Sequence, residues 1–420
     1  MSAAGPPQGA NRPAAQSAEG RPVRATETLP PLLAGLRVLE FGHIAAAPFC
    51  GMLLADLGAD VVKVEAPHGD GLRAWPPIVE TPDGDSFSLN FASLNRGKRS
   101  VVADLKEAAQ LARIRDLCAH ADVIIENYRP GALDRLGIGF EDIAKLQPTI
   151  VYCSISGYGH QGANATRGAF DVVVQGASGL MSVTGEPGRP AVKCGVPVAD
   201  FTAGLYAAYT IVAARGQALR ERRAIHLDCA MLDCLLGISA LQTSEYWGTG
   251  TAPKRLGSAH PRNAPYQAFD ASDGQFILAA GNDALWREVC EATGQHALLD
   301  DPRFRGISLR AKNQAALAAL LQQVFRTRKV REWLDEFERR GVPSGPLNTF
   351  ADILGDPELT ASELVQDMRV PVAGTTKTVA YPVRLNGHRT RAERPPPRLG
   401  EHRDEVFAEW LGASVSSERA

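Results

Sequence analysis

The chain has 420 residues, 45% of them hydrophobic and 22% charged, with a formal net charge of -2. That is the profile of an ordinary globular protein long enough for two domains, and it offers no electrostatic case for a nucleic-acid or anionic-membrane partner. The seven cysteines are scattered with no Cys-x-x-Cys pair, which reads as reduced thiols in a cytoplasm; neither a disulfide framework nor a metal site is expected.

Residues 1–31 are rich in Ala, Gly, Pro and Gln and lack an apolar h-region, so they read as a disordered tail. Arg12, Arg21 and Arg24 would fit a mitochondrial presequence, but Glu19 and Glu27 count against one. The first ordered unit is GLRVLEFG, a strand ending in Gly42. In the following HIAAAPFCGMLLADLGA, Pro48 falls in a first helical turn and Phe49, Met52, Leu53 and Leu57 recur at helical spacing. DVVKVEAP, RSVVADL, DVIIEN and TIVYCSISGYG read as further strands, with helices over 107–119 and near Glu141–Leu146 between them. Apolar strands alternating with helices predict an α/β fold with a mostly parallel sheet covered on both faces. Asp171–Leu180, Asp200–Arg215 and Leu227–Trp247 read as helices. The longest apolar run, Ala203–Ala214, is too short to span a bilayer, so no membrane partner is expected. After Gly250, APYQAFDASDGQFILAAG reads as a hairpin with a Ser-Asp-Gly turn. Helices near Leu285–Thr293, Asn313–Arg326 and Val330–Arg340 then make a smaller α+β domain. MRVPVAGTTKTVAYPVRLNG is β-like, and a final helix follows RAERPPPRLGEH.

Several motifs follow one another from about Leu36 to about Leu411: LEFGHIAAAPFCGMLLADLGADVVKVE, LNRGKRSVVADL, ADVIIENYRPGALDRLGI, CSISGYG, FDVVVQGASGLMSVTGEP, GVPVADFTAG and RPPPRLGEH. In them the chain resembles the family III CoA-transferases, which include formyl-CoA transferase, carnitine CoA-transferase and the α-methylacyl-CoA racemases. RLGSAHP, PYQAF, GVPSGPLN and RPPPRLGEH are similar to the branch that moves CoA between dicarboxylates, the succinyl-CoA:glutarate type. The resemblance implies a Rossmann-like large domain over 32–225, a linker helix and loop over 226–262 and a small domain over 263–345. A return segment over 346–412 completes the large domain, and 413–420 forms a second tail. Linkers close each subunit into a ring, and two rings interlock as a homodimer. The implied activity moves CoA from an acyl-CoA donor such as succinyl-CoA to a small carboxylic, dicarboxylic acid. It runs through enzyme-bound anhydride and thioester intermediates, with CoA thioesters and small acids as partners and no further cofactor.

A CoA site needs backbone donors and a few cations for the phosphates. Taken alone, His43–Ala46 is a tight strand-to-helix turn with free N–H groups; the resemblance makes His43, Ile44, Ala45 and Ala46 line the CoA site. Arg96, Lys98 and Arg99 read alone as a solvated strand edge. The resemblance puts Lys98 near the CoA phosphates and makes Asn127, Tyr128, Arg135 and Tyr158 CoA contacts, with Tyr128 against adenine or its ribose. The bland reading of Arg135 is a salt bridge to Asp134 or Glu141.

The resemblance also implies an aspartate that attacks the thioester, in the loop between the TG and GVPVAD motifs. Gapless alignment places Gly188 there. Glu186 is the carboxylate inside that loop and therefore the candidate nucleophile; its extra methylene adds about 1.5 Å of reach. Asp200 is the alternative, although it also reads as an N-cap, and Asp171 opens a helix and has the same bland reading. Phe170 stands where the racemases keep a histidine, which argues against a chemistry that needs two opposed acid/base groups. Arg255 and His260, with Lys254 and Arg262, are candidates for the substrate's distal carboxylate. The rival readings are an isomerase, lyase, racemase or thioesterase on the same fold, or a CoA-binding protein without transfer chemistry.

Overall fold

The computed structural model describes residues 30–412 apart from 82–83, 373 and 392–393; the tail readings over 1–29 and 413–420 fall outside the described residues. Six strands pair in parallel: β1 (Arg37–Phe41), β2 (Asp60–Glu65), β3 (Arg99–Val102), β4 (Val123–Glu126), β5 (Val151–Ser156) and β6 (Ile225–Ala230). Their order is β3-β2-β1-β4-β5-β6. The chain winds outward from β1 in one direction, returns, and winds outward from β4 in the other. That reversal leaves a crevice beyond the carboxyl ends of β1 and β4, where open α/β sheets bind ligands.

Strands buried on both faces read as apolar runs, and Val38, Leu39, Val61, Val62, Val123 and Ile124 have no solvent exposure. On one face the sheet packs on α1 (Ala46–Asp56); the other face carries α2 (Ala108–His120). The chain continues through α3 (Asp171–Ala177), α4 (Val198–Glu221), α5 (Met231–Ile238) and α6 (Ala240–Thr249). Helix α4 crosses α1 closely at Gly204, where a Cβ would stand 2.9 Å from the Ala46 carbonyl oxygen. The glycine therefore sets the distance at which the start of α1 is braced.

Two elements differ from their sequence reading. Ile225–Ala230 is a strand rather than the start of a helix over Leu227–Trp247, so the sheet runs past the boundary placed at 225. The alternation of Ile225, Leu227 and Cys229 with His226 and Asp228 is the period-two signal. The helix read over Asp171–Leu180 breaks at Gly179, whose φ of 86° ends α3 and starts a separate turn, Leu180–Val183.

Beyond residue 262, β7 (Tyr266–Asp270), β8 (Gln275–Ala279) and β9 (Ser344–Pro346) form an antiparallel sheet in the order β9-β8-β7. It is covered by α7 (Asp283–Thr293), α8 (Gln314–Phe325) and α9 (Val330–Arg339). Phe269, Phe276, Trp333 and Phe337 surround Phe325 at ring centroid distances of 4.8–6.1 Å. The last helix, Arg403–Leu411, buries Val406, Phe407 and Trp410 in the same core as Ile114 of α2. No helix among the described residues is long and apolar enough to cross a membrane.

Candidate active site

Between β1 and α1 the chain turns through Gly42–Ala45, and the turn rests on buried charge. Lys63, on β2, donates to Glu40 Oε1 at 2.9 Å and to the Gly42 carbonyl at 2.6 Å, and lies 2.9 Å from Asp70 Oδ2. Lys98 donates to the Pro48 carbonyl at 2.8 Å and to Asn95 Oδ1 at 2.9 Å. It also lies 2.7 Å from Glu40 Oε2, an ionic contact outside hydrogen-bond geometry. Glu40, Lys63 and Lys98 are completely buried. Burial opposes the charge of Lys63, but Glu40, Asp70 and Glu65 outweigh it and push its pKa up. Lys98 has one carboxylate beside it and also feels Lys63; burial brings its pKa down to about 8.

This floor fixes an unusual backbone. Ile44 has φ 63°, in the left-handed region, and its amide donates to Asp70 Oδ1 and Oδ2 at 3.1 and 3.2 Å. A β-branched residue there costs about 1–3 kcal/mol. One residue earlier, Asn127 clamps His43 from both sides, accepting from its N–H at 2.9 Å and donating to its carbonyl at 3.0 Å. The His43 ring meets Tyr128 edge-on at 4.9 Å. Burial, then Lys63, holds the His43 pKa below its usual value.

Above the turn is a cavity of about 300 Å³, lined by His43–Ala46, Asn127–Pro130, Ser156 and Gly157, residues 167–171, Asp200 and others. Two carboxylates face it. Asp171, the first residue of α3, accepts from the Ala199 N–H at 2.9 Å and from Gln175 Nε2 at 2.7 Å. Gln175 is fully buried, and its Oε1 accepts the Cys194 N–H at 2.8 Å, which ties the glycine-rich loop to Asp171. Asp200 has no hydrogen-bond partner among the described residues. Burial first, then the charge of Asp171, pushes its pKa up to about 7. The site thus pairs an acid fixed by two donors with one that holds a proton near neutrality, the pattern of two carboxylates with divided roles. A larger cleft of about 820 Å³ lies at the opposite end of the sheet, where Arg391 and Arg394 stand near Glu363 and Asp60, each 3.7 Å away. It holds none of the cavity's carboxylates.

The sequence profile of CoA-transferase family III matches residues 33–403. The chain belongs to that family. It is 40% identical over 382 residues to a succinate–glutarate CoA-transferase of Agrobacterium fabrum, covering 90% of this chain and 96% of that one. It is 35% identical over 394 residues to the human succinyl-CoA:glutarate CoA-transferase, covering 93% and 89%. It is 36% identical over 370 residues to an acetyl-CoA:oxalate CoA-transferase of Acetobacter aceti, covering 87% and 92%. A crystal structure of a CaiB/BaiF family protein from Brucella suis matches with TM-score 0.81 at 39% identity, over 90% of this chain and 99% of that one.

In this CoA-transferase the cavity brings together His43, Ile44, Ala45, Ala46, Asn127 and Tyr128 from the expected residues, with Asp200. The expectation of free N–H groups on the turn is corrected for His43 and Ile44, whose amides are occupied. Lys98 does not stand at a solvated strand edge: it points into the protein under the turn, donates to Pro48 and Asn95, lies against Glu40 and has no solvent exposure. Arg135 is exposed on a single 3-10 turn outside the cavity, and it makes no ion pair with Asp134 or Glu141 among the described residues. Tyr158 has a buried hydroxyl without a partner among the described residues, and the Arg167 guanidinium sits 5.2 Å from its ring centroid.

The loop places the candidate nucleophile Glu186 away from the cavity. Glu186 and Gly188 belong to a Glu-Pro-Gly-Arg turn closed by Arg189 N–H donating to the Glu186 carbonyl at 3.3 Å. Gly188 has φ 71°, the left-handed conformation that the third residue of a Pro-Gly turn demands. Glu186 is exposed, rests against Gly257 and lies outside the cavity. Neither aspartate is an N-cap: Pro197 caps α4, Phe170 caps α3, and neither helix start has a side-chain cap bond. Of the distal-carboxylate candidates, Arg255 donates to the Arg189 carbonyl at 2.6 Å, Arg262 pairs with Glu245 at 3.1 Å, and His260 stacks on Tyr266 at 4.9 Å. None of them lines the cavity, whose cations are Arg129 and Arg167. Glu40, Lys63 and Asp70 are not among the residues expected at the site, although a Glu and a Lys inside otherwise apolar parallel strands signal a buried pair.

Proposed function

We propose that this CoA-transferase moves CoA from succinyl-CoA to a small dicarboxylic acid of the glutarate class, with Asp171 as the covalent carboxylate. The observation that carries the reading is the pairing of Asp171, held by Ala199 and Gln175, with Asp200 in the cavity at the strand ends. A carboxylate is a poor nucleophile in water, and fixed geometry in an enclosed site is what it needs. Asp171 attacks the thioester carbonyl; the C–S bond breaks and CoA leaves as thiolate, leaving a mixed anhydride. The thiolate attacks the aspartyl carbonyl, releases the first acid and forms an aspartyl-CoA thioester. The second acid attacks that thioester and expels the thiolate, which then takes the new acyl group and frees Asp171. Asp200, protonated near neutrality, keeps a second negative charge away from the developing oxyanion. Arg129 and Arg167 make no ion pair among the described residues and are assigned to the acid's distal carboxylate. The names of the relatives support the substrate class.

Labelled succinate should enter succinyl-CoA, and glutarate should draw CoA from it. Hydroxylamine added to enzyme incubated with acyl-CoA should leave a hydroxamate on the peptide that holds Asp171. Exchange without that mark, or a mark on Glu186, refutes the assignment.

Interlocked subunits and a cytoplasmic location belong to the same proposal. Exposed Leu205, Tyr209, Leu236, Leu241 and Trp247 on the helices near edge strand β6 support a face covered by a second copy. Sizing at nanomolar concentration should show a dimer; a reversible monomer–dimer equilibrium is inconsistent with interlocked rings.

A further inference from the structure

We infer that Asp70 is a positioning residue of the turn that docks acyl-CoA, an inference that rests on reading the cavity as the acyl-CoA site. Ile44, His43, Ala45 and Ala46 form one wall of that cavity. At its centre is the left-handed Ile44, φ 63°. A β-branched residue persists in that conformation only where its surroundings over-determine it. Asp70 supplies the constraint: both its oxygens lie within 3.2 Å of the Ile44 amide nitrogen. The carboxylate is immobile in its turn. It accepts the Leu72 N–H at 2.9 Å, lies 2.9 Å from Lys63 Nζ, and belongs to a residue with 2% exposure. Its own amide donates to Glu65 Oε2 at 3.0 Å, and Arg73 grips Glu65 through two bonds of 2.7 and 2.8 Å. Lys63 also holds the Gly42 carbonyl, so both ends of the kink are tied to the same ion cluster.

Without Asp70, Ile44 relaxes to negative φ and the peptide planes beside it rotate. The wall that meets CoA changes shape, while Asp171, carried on α3 and held by Ala199 and Gln175, does not move. The signature is a loss of affinity with chemistry retained.

Asp70→Ala should raise the CoA dissociation constant and the KM for succinyl-CoA by roughly tenfold or more, with kcat within about threefold of wild type. Adding Ile44→Gly supplies a residue that takes positive φ without steric cost. The double variant should recover most of the lost affinity and none of the thermal stability lost with the Lys63 partner. A purely structural Asp70 predicts a double variant no tighter than Asp70→Ala, and that result overturns the inference. If Asp70→Ala does not fold, Ile44→Pro serves: it leaves the Asp70–Lys63 pair intact but forbids the kink. It should weaken CoA binding roughly tenfold, and affinity within about twofold of wild type overturns the inference. Wild-type enzyme that binds no CoA refutes the cavity reading beneath it. CoA binding equal in wild type and Asp70→Ala refutes only the role of Asp70.

Discussion

Beneath the cavity, Glu40 and Asp70 are buried and each is held by a lysine; in the loop Thr184–Gly195, Glu186 is exposed and rests against Gly257. The first pair lies under the backbone of the turn: Asp70 accepts the Ile44 amide, and Lys63 joins both acids to the Gly42 carbonyl. The second carboxylate has reach but no enclosure and no fixed donors. Asp171 lies between the extremes, half-buried, held by two donors and open to the cavity. A glycine-rich loop does not by itself make an acid reactive: enclosure and fixed donors do, and for Asp171 one donor, Gln175, is a turn away while the other, Ala199, comes from a different helix.

The largest effect that tests this contrast is catalytic. Asp171→Asn should lower CoA exchange by on the order of a thousandfold or more, and Glu186→Gln by less than about threefold. The reverse ranking returns the nucleophile to the loop. Next in size is the floor. Lys98→Met leaves Glu40 short of a partner and should cost about 3–5 kcal/mol in urea unfolding, whereas Arg135→Ala, on the surface, should stay within about 0.5 kcal/mol. Lys98→Met with wild-type stability and weakened CoA binding would restore the phosphate role. Gln175→Ala removes one of the two donors on Asp171 together with the tie to Cys194. Single-turnover transfer should slow by about 1–3 kcal/mol of barrier, or roughly five- to 150-fold, with CoA affinity unchanged.

The smallest effect is in pH dependence. The Asp200 pKa is raised from 3.8 to about 7, so its proton favours the folded state. The stability this contributes is full below pH 3.8 and is lost as pH rises through about 7. Asp200→Asn should therefore gain stability relative to wild type across that window. Exchange by wild type should fall on the alkaline side of about pH 7, by severalfold, as Asp200 gains charge beside Asp171. Asp200→Asn should flatten that limb, and an unchanged limb assigns it to another group.

Much of the architecture was legible. The alternation of apolar strands and helices predicted the parallel sheet, and the motifs placed His43–Ala46 and Asn127–Tyr128 at strand ends, where the cavity lies. Ile225–Ala230 reads as helix because an edge strand is only half-buried and Leu227 and Met231–Leu236 also fit a helix. Loop membership points to Glu186, but it carries no information about enclosure. Asp171 reads as a cap because an Asp at a helix start usually is one, and nothing local distinguishes a cap from an acid turned toward Ala199.

The sequence by itself determined the family, the order of the strands and helices, and the small residues of the first turn, because periodicity and motif order are properties of neighbouring residues. Only the tertiary structure decided what each charge does. Lys98 reads as a surface cation until β3, β2 and β1 lie side by side and bring it against Glu40. Water is excluded there, so the side chain must find its partners inside. The same packing of α4 against α3 brings the Ala199 amide to Asp171 and Asp200 into the same cavity, so two helix-start aspartates face one space.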